Sequence, residues 1–315
     1  MTGWRPSADR SALLARAELL AVVRAFFAER RVLEVETPLL SQAAVTDPAL
    51  ENFCLPHSEG ARYLQTSPEY AMKRLLAAGS GDIFQVCKAF RAGEVGRRHN
   101  PEYTLLEWYR IGFDHIQLMR EVGELVCAIT GLPGWQIWSW QAVMQWVLGV
   151  DPLGMDAGEL GELVSSLGLT VPDDLDRDGL WDVLMSHCVE PAISDWGVVF
   201  VTDYPASQAA LARCIPGHDA AVAARFECYV QGIELANGYW ECTDPDELAG
   251  RFEQDNRLRR ERGLPERGID AYLLDAMLAG LPDCAGVAMG LDRLLMVQHK
   301  FDTIESTLAF DWSRA

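Results

Sequence analysis

Two strand-like runs, Ile83 to Arg91 and Tyr103 to Arg110, constrain this chain more than any other feature. Between them lies a polar segment, Ala92 to Pro101, that carries Gly, Arg and His. The pair reads as a long antiparallel hairpin. Its loop is too long and too polar for a tight turn, which marks it as a candidate working loop. An Arg at a strand end, ahead of further Arg and His, suits a nucleotide phosphate. Guanidinium binds phosphate oxygens through paired, charge-assisted hydrogen bonds. A solvated surface hairpin is the alternative, and this segment alone does not choose.

Elements around the hairpin can be placed coarsely. An opening amphipathic helix is expected from Leu13, Ala17, Leu20, Arg24 and Phe27, with Ser7 as its cap. It gives way to an extended segment, Val32 to Glu36, which Pro38 ends. Ser67-Pro68-Glu69 suits the start of a helix running to about Ala78. Residues 114–195 look mainly helical and Trp-rich, an insertion within a single domain spanning 1–315. Val198 to Val201 and Phe226 to Leu235 read as strands, Asn237-Gly238 as a turn, and Asp244 to Arg262 as a charged surface helix. Antiparallel strands with helices outside them argue an α+β fold rather than a wound parallel sheet.

Composition narrows the function classes. A formal net charge of −19 and a sequence pI near 4.7 repel a polyanion at long range, so no nucleic-acid partner is expected. No apolar run reaches the ~20 residues of a bilayer span, and Met1 to Arg10 lacks the order of a signal peptide. A cytoplasmic location is the expectation. The eight cysteines are scattered singly, without zinc or redox spacing, and read as structural thiols.

Two further segments carry chemistry. Glu227 and Glu234 lie in an apolar strand, and Glu241 follows it. Carboxylates there are costly to bury unless paired or bound to cations, and Mg²⁺ favours a few carboxylates plus phosphates. A structural ion pair is the competing reading. In Gly286-Val287-Ala288-Met289-Gly290-Leu291-Asp292-Arg293, small residues let backbone approach a ligand, and Arg293 could reach a phosphate.

Taken in order, these segments resemble the three signature motifs of class II aminoacyl-tRNA synthetases. The first matches the opening helix and the strand ending at Pro38. The second runs from Phe90-Arg91 to Tyr109-Arg110, and the third is Gly290-Leu291-Asp292-Arg293. His99 to Thr104 and Gly232 to Gly238 narrow the likeness to the lysyl-tRNA synthetase branch. That branch carries a large N-terminal anticodon-binding domain, for which the early first motif leaves no room. The chain is therefore most similar to the elongation factor P lysine ligase family.

The resemblance implies an antiparallel sheet flanked by helices, ATP as co-substrate with Mg²⁺, and a lysine-like amino acid activated as its adenylate. It further implies transfer of an (R)-β-lysyl group to elongation factor P, and a two-fold homodimer. At matching positions, Ser67, Pro68, Glu69, Tyr109 and Glu241 would bind the amino acid. Arg91 and Arg293 would be catalytic, on the α- and γ-phosphates. Ala92, Gly93, Glu94, Asn100, Glu234, Leu235 and Gly290 would also contact ATP, with Glu234 and Glu241 as metal ligands. Two positions depart from the pattern. Synthetases usually carry Glu where this chain has Gly93, the carboxylate following at Glu94. The branch has Gly where Ala288 stands, and that methyl is expected to favour β-lysine by about 1–3 kcal/mol. Two other readings stay open. One is a stand-alone lysine ligase with another acceptor, and the other a regulatory paralogue without activity. His99 is a candidate base for the transfer step, against a solvated loop histidine.

Overall fold

The computed structural model describes residues 4–172, 175–217 and 221–315, so Met1 to Gly3 of the segment read for a signal peptide lie outside the described residues. The chain opens with α1 (Arg10–Glu29), which Asp9 caps by accepting the Ala12 N–H at 2.9 Å. Ser7, the expected cap, instead donates its hydroxyl to Asp311 Oδ2 at 2.5 Å. The buried stripe of α1 is Ala12, Ala15, Leu19, Val23, Phe26 and Phe27, while Leu13, Leu14 and Val22 are exposed. The helix is apolar on two faces, and periodicity cannot tell which of them meets the core.

Short strands follow: β1 (Leu33–Glu34), β2 (Leu40–Ser41), β3 (Cys54–Leu55) and β4 (Arg62–Leu64). Next come α2 (Glu69–Ala77) and the expected hairpin, β5 (Ile83–Phe90) with β6 (Glu102–Ile111). Beyond it lie α3 (His115–Thr130), β7 (Trp135–Ser139), α4 (Trp140–Leu148), α5 (Ala157–Ser166), α6 (Arg177–Leu184) and the single turn α7 (Glu190–Ala192), with a π-helical stretch, Met185–Val189, before α7. The chain continues through β8 (Val198–Pro205), β9 (Cys214–Pro216), β10 (Ala221–Val230) and β11 (Ile233–Trp240). It ends with α8 (Pro245–Glu261), α9 (Ala271–Gly280), β12 (Cys284–Gly290) and α10 (Leu291–His299).

These elements form two compact units, one of residues 1–114 and 241–315, the other of residues 115–240. The expected insertion ended near residue 195; the compact unit it belongs to continues through four more strands to Trp240.

In the first unit β5, β6 and β12 pair antiparallel, and β1 lies parallel to β5. Successive side chains alternate between the two faces of such a sheet. One face carries Phe84, Trp108 and Val287 in register, and α1 packs there: Phe27 stacks on Phe84 at 4.4 Å and meets Trp108 edge-on at 5.2 Å. The opposite face carries Ile83 and Gln85 on β5, Tyr109 and Glu107 on β6, and Gly286 and Ala288 on β12. Burying apolar residues on the first face leaves the second for polar side chains. A small sheet, β2-β4-β3, stands apart. In α8, Leu248 and Phe252 are buried, and Arg259 of the expected surface run is buried too. Its guanidinium bonds the carbonyls of Asp47, Leu50 and Pro265 and pairs with Glu51, so it fastens the loop before β3. Residues 5–8 and 308–314 are clasped together. Ser7 and Ala8 donate backbone N–H groups to Ala309 and Leu308, and Arg314 bonds the carbonyls of Arg5 and Pro6.

The second unit has β11, β10 and β8 antiparallel, β9 added to β10, and β7 parallel to β8. A parallel pair needs a crossover, which α4 to α7 supply. Trp140, Leu160, Trp181, Val199, Val201 and Tyr229 share its core. One turn lies elsewhere than the sequence suggests. Phe226 to Leu235 is not one strand, because Gln231 and Gly232 both take positive φ, 54° and 67°, and close a two-residue hairpin between β10 and β11. Asn237-Gly238 lies inside β11 instead, where Asn237 pairs with Glu227 and donates to its carboxylate at 3.2 Å.

Among the described residues no helix is long and apolar enough to cross a membrane. All eight cysteines are free thiols, with Cys228, Cys242 and Cys284 buried.

Candidate active site

Within the first unit, the polar face of the sheet and the start of α2 gather a compact set of charged groups. Pro68 stands at the N-cap of α2, and Ser67 just before it accepts the Glu69 N–H at 3.0 Å. The same hydroxyl donates to Glu107 Oε2 at 2.6 Å, and Tyr109 donates to Glu107 Oε1 at 2.7 Å. One turn into α2, Lys73 reaches Glu69 Oε1 at 2.7 Å and Glu241 Oε2 at 2.7 Å. Glu241 follows β11 and is fixed by its backbone N–H on the Cys284 carbonyl at 3.0 Å.

The close approach of Gly286 ties these groups together. A Cβ there would lie 2.2 Å from Tyr109 Cε1 and 2.6 Å from Glu241 Oε1, so only glycine fits. Ala288, its neighbour on the same face, sits opposite Glu107 and is half-buried. The structure thus brings Ser67, Glu69, Tyr109 and Glu241 together around Glu107 and Lys73, with Pro68 buried beside Ser67 and Ala288 opposite Glu107 in the sheet.

Burial sets the charge state. Glu107 is pushed up to about 8 by burial first and by the Glu69 charge second, against the hydrogen bonds from Ser67 and Tyr109. Glu241 is raised by burial to about 7, with Lys73 drawing it the other way. Burial and the Glu107 charge hold the Tyr109 hydroxyl protonated. Three carboxyl groups and one ammonium therefore share a largely buried space, in which Glu107 tends to keep its proton near neutral pH until a cation arrives.

Sequence reasoning missed Glu107 and Lys73. Glu107 carried a usable signal, since it is a carboxylate inside an apolar strand, the same feature that drew attention to Glu227 and Glu234. Lys73 stands four residues after Glu69 on one helix face, a spacing that brings opposite charges together.

A second group of residues surrounds the hairpin loop. Arg91 donates its backbone N–H to the Pro101 carbonyl at 2.9 Å. Its guanidinium lies over the Tyr103 ring at 5.4 Å and 3.7 Å from Glu94 Oε1. Ala92 donates to the Glu51 carbonyl, and Gly93 takes φ +84°, a left-handed conformation that turns the chain away from the strand. Arg293, early in α10, donates Nε to the Arg98 carbonyl at 3.2 Å and places Nη2 2.6 Å from His99 Nε2. Burial, then the Arg293 charge, lowers the His99 pKa, so that nitrogen acts as the acceptor. Gly290 is the N-cap of α10 and offers no side chain, so that end carries no side-chain cap. Asn100 is nearly buried, its amide committed to the Glu102 carbonyl and the Trp312 N–H. The aspartate of the third motif holds elements together, since Asp292 accepts the Thr104 N–H at 2.7 Å and pairs with Arg16 of α1.

In the second unit, Glu234 lies opposite Tyr229 and helps line a cavity of about 320 Å³ with Asp182, Ser186, Glu190 and Glu227. Leu235 is buried, so only its backbone could meet a ligand. Glu227 accepts from Tyr204 at 2.6 Å and from Tyr229, and pairs with Arg225, which is the structural ion pair weighed for it from sequence. No cluster of three or more metal-ligating side chains occurs among the described residues.

Residues 2–313 match the family described as tRNA synthetases class II (D, K and N). Elongation factor P–(R)-beta-lysine ligase of Salmonella gallinarum is 50% identical over 99% of this chain and 98% of its own length. The proteins of the same name from Salmonella dublin and Salmonella paratyphi B are each 49% identical over the same shares. Matched along nearly its whole length, the chain belongs to the class II tRNA synthetase family.

Proposed function

We propose that this protein activates (R)-β-lysine with ATP and transfers the β-lysyl group to a lysine side chain of elongation factor P. The observation that carries the reading is the cluster of Glu69, Glu107, Glu241 and Lys73, in which three carboxyl groups face one ammonium and Glu107 and Glu241 are ready to ionise beside an added cation. A substrate with two ammonium groups supplies that positive charge. A neutral amino-acid side chain would leave buried charge unpaired, which is strongly disfavoured. The near-complete likeness to ligases of one name supports the acceptor.

In the first step the substrate carboxylate attacks the α-phosphorus of ATP and pyrophosphate leaves. In the second the acceptor amine attacks the adenylate carbonyl and AMP leaves. No protein nucleophile is needed, because positioning and charge stabilisation suffice. Arg91 offsets charge developing at the α-phosphorus, with Tyr103 beneath it. Arg293 exchanges His99 for the γ-phosphate. Asn100, Glu94 and the backbone from Ala92 to Gly93 shape the nucleotide side, as does the α10 N-terminus after Gly290. Glu234 and the Leu235 backbone are further proposed ATP contacts. Carboxylate oxygens suit Mg²⁺, and Glu234 fits that use better than Glu241, which Lys73 already engages. Bound with ATP, the ion would supply neutralisation of the phosphate oxygens. No side chain is assigned as the base of the second step.

The exposed Leu13, Leu14 and Val22 on α1, with Leu33, Leu39 and Leu40 after it, support a two-fold homodimer through this face. A cytoplasmic location remains part of the proposal.

The test is ATP–pyrophosphate exchange with (R)-β-lysine, L-lysine or no amino acid, followed by mass analysis of elongation factor P. Strongest exchange with β-lysine and a single β-lysyl mass gain on the acceptor are expected. Exchange with L-lysine alone, or with neither, would overturn the reading.

A further inference from the structure

Lys73 is the odd member of the amino-acid pocket. Its side chain is 1% exposed, and its ammonium sits 2.7 Å from one oxygen of each of two carboxylates on different elements. Taking an ammonium out of water is expensive unless paired charges compensate it. Salt bridges usually decorate surfaces; this one is built into the floor of a ligand site. Helix α2 fixes the first partner, because Glu69 and Lys73 lie one turn apart on the same face. The second partner, Glu241, comes from the end of β11 and is as buried as the lysine itself.

The groups facing Glu241 can be named from every side. Helix α2 brings Lys73 and Glu69, and β6 brings Glu107 and Tyr109. Strand β12 brings only the uncharged Gly286 and Ala288. Behind α2, Tyr70 feels Asp255 and Asp270. Lys73 thus supplies the positive charge among these neighbours, and the carboxylates around it otherwise repel one another.

We propose that Lys73 is a positioning residue of this site, its buried ammonium holding the Glu69 and Glu241 side chains in place from two different elements so that they can meet the ammonium groups of the substrate. The proposal rests on the reading above for the substrate, but not for the placement of the two glutamates. The effect of Lys73 is exerted through those side chains, each 2.7 Å from the lysine Nζ.

The experiment compares the wild-type protein with Lys73→Met and Lys73→Arg. ATP–pyrophosphate exchange is measured with (R)-β-lysine and L-lysine. For Lys73→Met the amino-acid KM is expected to rise at least about ten-fold, with the ATP KM changed less than about three-fold, and Lys73→Arg should recover part of the loss. An unchanged amino-acid KM, or a parallel rise in the ATP KM, would overturn the proposal. The second readout needs no substrate. Crystal structures of wild type and Lys73→Met should show the Glu69 and Glu241 carboxylates displaced by about 1 Å or more once the ammonium is gone. Superimposable carboxylates would defeat the proposal. If wild type exchanges with neither amino acid, the substrate reading fails and the two structures still decide the role of Lys73; if Lys73→Met does not fold, the same comparison with Lys73→Gln decides it.

Discussion

At the scale of single residues, the pocket is governed by close approach and unbalanced charge. Gly286→Ala would drive a methyl into the Tyr109 ring and the Glu241 carboxylate. Amino-acid activation is expected to fall by at least about a hundred-fold, since misplacing a positioning group by ~1 Å costs that much. Exchange kinetics with the fold checked by circular dichroism would show it. Charge gives a pH prediction with a definite sign. Glu107 and Glu241 are acids held above their ordinary value of 4.5, towards about 8 and about 7. The folded chain therefore keeps protons that the unfolded chain has lost. Stability without substrate should fall as pH rises from about 4.5 through about 8, because the folded state binds more protons there. Affinity for the cationic substrate should move the other way, its KM decreasing from pH 6 to pH 8. Thermal melts and exchange kinetics across that range check both. Ser67, Glu69, Tyr109 and Glu241 were all visible in the sequence as motif positions. Their meeting with Glu107 and Lys73 was not, because it depends on the β6–β12 register and on which face of α2 turns inward.

At the scale of elements, the hairpin was legible because strand length, alternation and a polar loop all pointed one way. The β10–β11 turn was not. Its flanks are apolar, and Asn237-Gly238, the stronger turn signal, is held inside the strand by pairing with Glu227. Gly232 explains why the chain turns earlier: it takes a positive φ, and a Cβ there would fall 2.4 Å from the Glu190 carbonyl. Gly232→Ala is expected to destabilise the protein by about 1–3 kcal/mol, read in denaturant unfolding. A milder effect is expected at α1. Asp9→Ala removes the cap on Ala12 and should cost about 1 kcal/mol, whereas Ser7→Ala leaves that cap intact. The register of α1 itself was unreadable from periodicity, since Leu13, Leu14 and Val22 extend its apolar character to the exposed side.

At the scale of the whole molecule, net charge and exposed surface set the partners. With a formal charge of −19, the protein is expected not to retard tRNA in a gel at about 100 mM salt, where weak phosphate contacts are lost. Light scattering should give twice the 35.0 kDa chain mass, and Leu14→Glu should shift it towards one. The α+β class could be read from the order of elements, but the division at residues 114 and 241 could not. That boundary depends on which strands pack together, and no local composition marks it. The clasp between Ser7, Ala8 and the segment from Leu308 to Arg314 has a consequence for connectivity. With residues 5–8 and 308–314 side by side, the described path between them is close to a ring. A circularly permuted protein, joined by a short linker across the clasp and opened at an exposed loop such as Ser58 to Gly60, should keep the same fold and the same pocket.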